Sequence, residues 1–229
     1  METKFCISGD RSVLAVYGNS IEKETNEKVR RMTALLTGRS HPGIVAVVGS
    51  YCSLSVHYDP LHTAFQEVTS LLLHLEKTLD NAVVPEERTV DIPVCYGGEF
   101  GPDLHFVATH NGMSPEEVIA RHSKSGYHIY AIGFAPGFCY LGGLDPRLHA
   151  PRLATPRQRV PAGSVGIGGS QTGVYPLESP GGWRLIGRTP LRLFAPERQP
   201  PTLYQPGDTI RFRPVSLNEF HHLQQAEKQ

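Results

Sequence analysis

Pro161-Ala162-Gly163-Ser164-Val165-Gly166-Ile167-Gly168-Gly169-Ser170-Gln171-Thr172-Gly173-Val174-Tyr175-Pro176 is followed closely by Ser179-Pro180-Gly181-Gly182-Trp183-Arg184-Leu185-Ile186-Gly187-Arg188-Thr189-Pro190. Twelve of the thirty residues from Pro161 to Pro190 are Gly or Pro. Glycine lowers helix stability and proline breaks the hydrogen-bond ladder, so long helices are excluded here. Short strands joined by tight turns and bulges are what remains, as in a β-barrel or sandwich. A third stretch of the same kind comes earlier: Gly133-Phe134-Ala135-Pro136-Gly137-Phe138-Cys139-Tyr140-Leu141-Gly142-Gly143, three aromatics set among glycines and a proline.

Outward from this core the pattern changes. Tyr127 to Ile132 reads as a strand, and Gln205-Pro206-Gly207-Asp208-Thr209-Ile210-Arg211-Phe212 as a turn feeding a closing strand. Ser114-Pro115-Glu116-Glu117 is a helix start, in which serine accepts backbone hydrogen bonds and proline occupies the first turn; that helix ends near Ser123. Tyr96-Gly97-Gly98-Glu99-Phe100-Gly101-Pro102-Asp103-Leu104 reads as a loop. The N-terminal part alternates strands with helices. Lys4 to Ile7 and Ser12 to Tyr17 form a hairpin about Gly9-Asp10-Arg11, and Ile44 to Val48, Leu54 to His57 and Val90 to Cys95 are further strands. Ile21, Val29, Met32 and Leu35-Leu36 define one helix ending near Gly38; Phe65, Val68, Leu72, Leu75 and Leu79 define a second, from about Leu61 to Leu79. The expected fold class is therefore α+β: an α/β sandwich domain over residues 1–85, a β-barrel domain over 86–216, and a polar tail or terminal helix over 217–229.

The bulk numbers exclude several functions. The 229 residues carry 22 basic and 22 acidic side chains, so no charge excess favours nucleic acid or an anionic membrane. Hydrophobic residues at 39% and charged ones at 19% fit an ordinary globular chain. Met1-Glu2-Thr3-Lys4-Phe5 lacks the apolar core of a secretory signal, and no apolar run approaches a membrane span. Cys6, Cys52, Cys95 and Cys139 stand far apart, without CxxC or Cys/His spacing, which points to free thiols and a cytoplasmic setting rather than zinc or disulfides.

Motifs for chemistry are mostly missing. There is no P-loop, no GxGxxG opening a helix and no HExxH. Ser164 misses the nucleophile elbow because Ala162 stands where that motif has glycine. The candidate residues lie in and around the three rigid segments. Gln171, Thr172, Tyr175 and Thr189 offer substrate-binding donors and a ring face; Arg188 suits an anion, and Arg152, Arg157 and Arg159 could grip a carboxylate or phosphate or simply be solvated. His122 is a candidate general base, with a helix-end role as the competing reading. Arg188 and His122 are taken as the catalytic candidates, and Gln171, Thr172, Tyr175, Thr189 and Arg157 as the substrate-binding ones. Trp183, the single tryptophan, is either a core anchor or a ligand platform; Glu99 and Asp103 could form an acid–base pair. His221-His222 shows no metal-site context, and no metal ligand set is expected.

The segments GFAPGFCYLGGL, PRQRVPAGSVGIGGSQTGVYP and SPGGWRLIGRTP, together with YGGEFGPDL, Arg121-His122-Ser123 and QPGDTIRFRPV, closely resemble the family that contains the 5-oxoprolinase B subunit, the sporulation-kinase inhibitor and allophanate hydrolase subunit 1. The resemblance runs to about Val215; Cys139 departs from it, standing where many members have proline. It implies an N-terminal α/β domain and a cyclophilin-like β-barrel. It also implies a larger carboxyltransferase-type partner, the C subunit. In 5-oxoprolinase a third protein, the A subunit, joins them, and the complex uses ATP (and magnesium) to open 5-oxoproline to glutamate. Other members of the family inhibit a sensor histidine kinase or serve in biotin-dependent urea carboxylation, so the fold alone does not select the activity.

Overall fold

The computed structural model describes residues 2–227 and divides the chain into two compact units, Met1–Glu86 and Glu87–Gln229. In the first unit the elements are β1 (Lys4–Ile7), β2 (Ser12–Val16), α1 (Lys23–Thr37), β3 (Ile44–Gly49), β4 (Ser53–Tyr58) and α2 (Phe65–Glu76). The strands form an antiparallel sheet in the order β1-β2-β4-β3. Alternation sends Val13, Ala15, Leu54 and Val56 to one face, where Val29, Met32 and Leu36 of α1 and Val68 and Leu72 of α2 cover them. Asn26 of α1 is fully buried, and its amide donates to the carbonyls of Ser50 and Tyr51, tying the helix to the β3–β4 turn. The second helix starts later than its apolar pattern suggests. The Asp59 carboxylate accepts from Leu61 N–H and its carbonyl from His62 and Thr63 N–H, which holds a turn until Glu67 caps Ala64 N–H. Ile21, read as part of the apolar face of α1, instead precedes that helix and is exposed.

The second unit contains β5 (Thr89–Tyr96), α3 (Leu104–His110), α4 (Pro115–Lys124), β6 (Gly126–Ile132), β7 (Cys139–Gly142), β8 (Arg157–Val160), β9 (Ser164–Gly168), β10 (Gln171–Val174), β11 (Ser179–Gly181), β12 (Arg184–Arg188), β13 (Thr209–Pro214) and α5 (Leu217–Ala226). Seven strands make one sheet, β10-β9-β12-β5-β13-β6-β7, and β8 pairs with β11 separately. The sheet curls until its edge strands, β10 and β7, lie side by side, giving a nearly closed barrel. Ile92, Val94, Ile129, Leu141, Val165, Ile167, Ile186, Ile210 and Phe212 fill it. β5 and β13 run parallel, register Thr89 with Thr209 through Val94 with Pro214, whereas the other pairs in this sheet are antiparallel. The entry to that ladder is held by Asp208: fully buried, its carboxylate accepts from the N–H and guanidinium of Arg88 and from Gln205 N–H.

Val90 to Cys95, read with the N-terminal strands, belongs instead to β5 in the seven-stranded sheet of the second unit. The residues after Asp103, given no element, form α3, whose Leu104, Val107 and Ala108 are buried. Of the two readings of the final segment, the terminal helix is the one found: Ser216 caps α5 by accepting from Glu219 N–H, and Phe220 is buried and stacked on Phe100 with ring centroids 4.4 Å apart. Lys228 and Gln229, the end of the expected tail, lie outside the described residues. Truncating Phe220 to alanine therefore costs the second unit about 3 kcal/mol, the scale of a buried phenylalanine deletion. Urea unfolding of the variant checks this; a loss below 0.5 kcal/mol, the usual surface value of roughly that size, would make α5 dispensable.

Candidate functional site

β9, β10 and β12 are short and rich in glycine. Trp183, just before β12, lies flat over this glycine surface. A Cβ on Gly168 would lie 2.4 Å from the indole Cδ1, and one on Gly173 would lie 3.1 Å from Cζ3. The glycines thus leave the slot that the indole occupies. Phe138 and Tyr175 meet the indole edge-on, at centroid distances of 5.9 and 6.1 Å, and Phe138 also contacts Tyr140 and Phe134 edge-on.

These rings form the wall of a cleft of about 310 Å³, whose lining also includes Arg152, Leu153, Pro156, Gln171 and the Pro180–Gly182 turn. The volume sits at the small end of the range for small-molecule sites, roughly 300–1,000 Å³. The strap 151–156 is pinned at its edge: Leu153 N–H donates to Gly182 O at 2.7 Å and Arg184 Nε to Pro151 O at 3.1 Å. Phe134 stands at the mouth with its ring exposed and its backbone at φ 67°, which a bulky residue adopts only where its surroundings hold it. Arg152 is exposed and has no ion-pair or hydrogen-bond partner among the described residues. Burial raises the Tyr175 pKa, opposed by a backbone hydrogen bond at Trp183 and by the charges of Arg152 and Arg157.

The residues singled out from sequence separate in space. Gln171 and Tyr175 line the cleft. Arg157, expected to bind substrate, is a brace instead. Its Nη2 donates to both carboxylate oxygens of Asp103, at 3.0 and 2.8 Å, and its Nη1 to Trp183 O. Asp103 also accepts from Leu185 N–H at 2.7 Å, so this pair fixes the start of β12 and with it the indole. The expected Asp103–Glu99 acid–base pair does not form: Asp103 is committed to these partners and Glu99 is exposed. Arg159 pairs with Glu178 in solvent. Arg188 ends β12 at the far end from Trp183 and Thr189 follows it, and neither lines the cleft; Arg188 Nε donates to Ala162 O, and Thr189 N–H to Gly163 O. Ser164 is buried in β9.

His122 and Thr172 belong to a buried polar chain. The imidazole is completely enclosed, stacked on Phe212 at 4.7 Å, with Nδ1 2.8 Å from Tyr96 Oη and Nε2 2.8 Å from Thr172 Oγ1. Thr172 donates its one hydroxyl proton to Gly166 O, which can only accept. Its oxygen must then accept from Nε2–H, which leaves Nδ1 to accept from Tyr96 O–H. The direction of the whole chain follows, Tyr96 to His122 to Thr172 to Gly166. Both competing readings of His122 need correction. Burial pulls its pKa down to about 3, so the ring is neutral and does not serve the helix dipole as a cation. Sealed from solvent, it is also not placed to take a substrate proton. It joins α4 to β5 and β10.

A histidine whose folded pKa lies below its unfolded value of about 6.5 contributes stability that is complete above pH 6.5 and lost as pH falls toward 3. Each pH unit inside that window removes about 1.4 kcal/mol through this residue. Unfolding free energies measured from pH 7.5 to 5 should show this slope in the native chain and lack it in His122→Phe, which is less stable at pH 7.5. Equal slopes in the two proteins would refute the linkage.

Residues 3–204 match the carboxyltransferase domain, subdomain C and D. The 5-oxoprolinase B subunit of Bacillus subtilis (strain 168) is 42% identical over 227 residues, covering 93% of this chain and 93% of that protein. The crystal structure of TTHA0988 superposes with a TM-score of 0.79 at 38% identity over 90% of this chain, which spans 40% of that longer one. Kluyveromyces lactis urea carboxylase superposes at TM-score 0.76 over 98% of this chain and 23% of its own, and at 20% identity that likeness concerns the fold alone. Taken with the curled seven-stranded sheet, these matches place the chain in the family of the carboxyltransferase domain, subdomain C and D.

Proposed function

We propose that this chain is the B subunit of an ATP-dependent 5-oxoprolinase complex, which opens the cyclic amide of 5-oxoproline to L-glutamate and works only when its partner subunits are present. The observation that carries the reading is the 42% identity to the Bacillus subtilis protein over 93% of both chains. The partners proposed are the larger carboxyltransferase-type C subunit and, as the third member, the A subunit; the setting is the cytoplasm. Among the described residues no helix is long and apolar enough to cross a membrane.

A lactam resists water because nitrogen donates into its carbonyl. Phosphoryl transfer from ATP to that oxygen would let water add at the carbon. The ring C–N bond would then break with nitrogen leaving as the amine, and hydrolysis of the resulting acyl phosphate would give glutamate and phosphate. This chain's share is positioning. The braced indole, Tyr175 and Gln171 would hold the small ring in a preformed cleft and exclude water from its apolar face. Nucleotide and magnesium are assigned chiefly to the partners. The sequence carries no P-loop, and among the described residues no group of three or more His, Cys, Asp or Glu is placed to hold a metal ion. Arg188, whose Nη groups have no partner among the described residues, is the residue proposed to meet an anion brought by a partner. His122 is retained only as a positioning residue for β10. The barrel is read as the cyclophilin-like module of this family.

Mixing the chain with both partner proteins, ATP and 5-oxoproline should release glutamate, with none formed when any one protein is left out. Failure of the complete mixture, with every component verified as folded, overturns the reading. Arg188→Ala removes one hydrogen bond to Ala162 O, about 1 kcal/mol of stability, yet should lower glutamate release at least tenfold, roughly a 1.4 kcal/mol effect. Activity that declines only as far as the folded fraction would make Arg188 structural.

A further inference from the structure

The cleft lining presents two chemistries. One is a box of rings, Trp183 with Phe138 and Tyr175 against it and Tyr140 against Phe138, held by edge-on contacts and by glycines that leave room for the indole. The other is Arg152, on the strap that Gly182 and Arg184 pin in place and close enough to Tyr175 for its charge to act on the phenol. The arginines around it are occupied: Arg157 and Arg184 engage Asp103, and Arg159 engages Glu178. Arg152 is therefore the cleft-lining cation, among the described residues, with its donors unspent. A planar guanidinium beside an apolar box matches a small ring bearing one carboxylate, the ring against aromatic faces and the carboxylate taken bidentately. Phe134, exposed at the mouth with φ 67°, is stationed where it can cover such a ring.

We propose that Arg152 is the carboxylate anchor and the Trp183 box the ring platform for a small cyclic amino-acid-like anion, so that this cleft selects the acid over the same lactam without its carboxylate. The assignment rests on the 5-oxoprolinase reading for the identity of the ring acid. The cleft geometry does not depend on that reading.

Trp183 is the single tryptophan of the chain, so its emission reports the cleft directly. The full-length chain is titrated with 5-oxoproline and with 2-pyrrolidinone, in native form and as Arg152→Gln, with circular dichroism confirming that the variant is folded. 5-Oxoproline should change the emission saturably, and Arg152→Gln should weaken it by about tenfold or more, equivalent to ~1.4 kcal/mol. 2-Pyrrolidinone should bind more weakly than the acid to the native chain and equally to both proteins. In the reconstituted complex the same variant should raise KM for 5-oxoproline by a similar factor with kcat within about twofold. Equal affinity of the two proteins for 5-oxoproline, or binding of 2-pyrrolidinone as tight as that of the acid, overturns the proposal. So does an emission change produced by the larger partner protein but by neither ring, which would make the cleft a socket for that protein. Glutamate release with an unchanged KM in Arg152→Gln overturns the anchor and leaves the oxoprolinase reading standing. Carboxylate-dependent binding without glutamate from folded partners supports the anchor and removes the oxoprolinase reading.

Discussion

A neutral imidazole sealed inside the second unit governs much of what surrounds it. In the sheet, β5 and β10 are separated by β12 and β9, yet Tyr96 of one and Thr172 of the other bond to opposite nitrogens of the same ring. That is possible because the sheet curls, and the bonds in turn hold the curl, since an unmet hydroxyl in this interior costs about 1–3 kcal/mol. Two short bonds and a stacked Phe212 leave the ring a single orientation. Thr172 is the neighbour of Gln171, so the interior chain also fixes the edge of the cleft.

The cleft is rigid for a related reason. Trp183 has its backbone carbonyl bonded by Arg157, which Asp103 holds, and Asp103 itself anchors Leu185 two residues further on. Those carboxylate and guanidinium groups look like binding groups in one dimension and act as braces in three. These groups come from the residue preceding α3, from β8 and from β12, so the rings facing the ligand are placed by three separate parts of the second unit. A site with so little left to order loses little entropy when it is filled.

Legibility in the sequence followed the strength of local physics. The N-terminal strands and helices could be read because period two and period 3.6 alternate cleanly there, and α4 because Ser114 and Pro115 are a start signal that Glu117 N–H uses as expected. The barrel could be read from glycine and proline density. α3 could not, because Gly97, Gly98 and Gly101 just before it suggest coil, while its helix is justified only by burial of Leu104, Val107 and Ala108. For the site, the rigid aromatic segments carry Gln171, Tyr175 and Trp183, which line the cleft together with Arg152. His122 is the less legible residue, since it is buried at a helix end. Its spacing from Val118 puts both on one helix face, a signal that it turns inward, but a polar side chain near a helix end is ordinarily solvated.

The parallel ladder between β5 and β13 has a consequence for how the chain is made. The bonded pair Asp91 and Arg211 stand 120 residues apart, and β5 leaves a ribosome long before its neighbour exists. The first unit, whose four paired strands all fall between Lys4 and Tyr58, can complete itself early during synthesis. The second must wait, with its opening strand unsatisfied, until β12 and β13 have emerged. Closure entropy and high contact order make that the slow stage, and the interval before it is when a waiting edge is most open to wrong pairing.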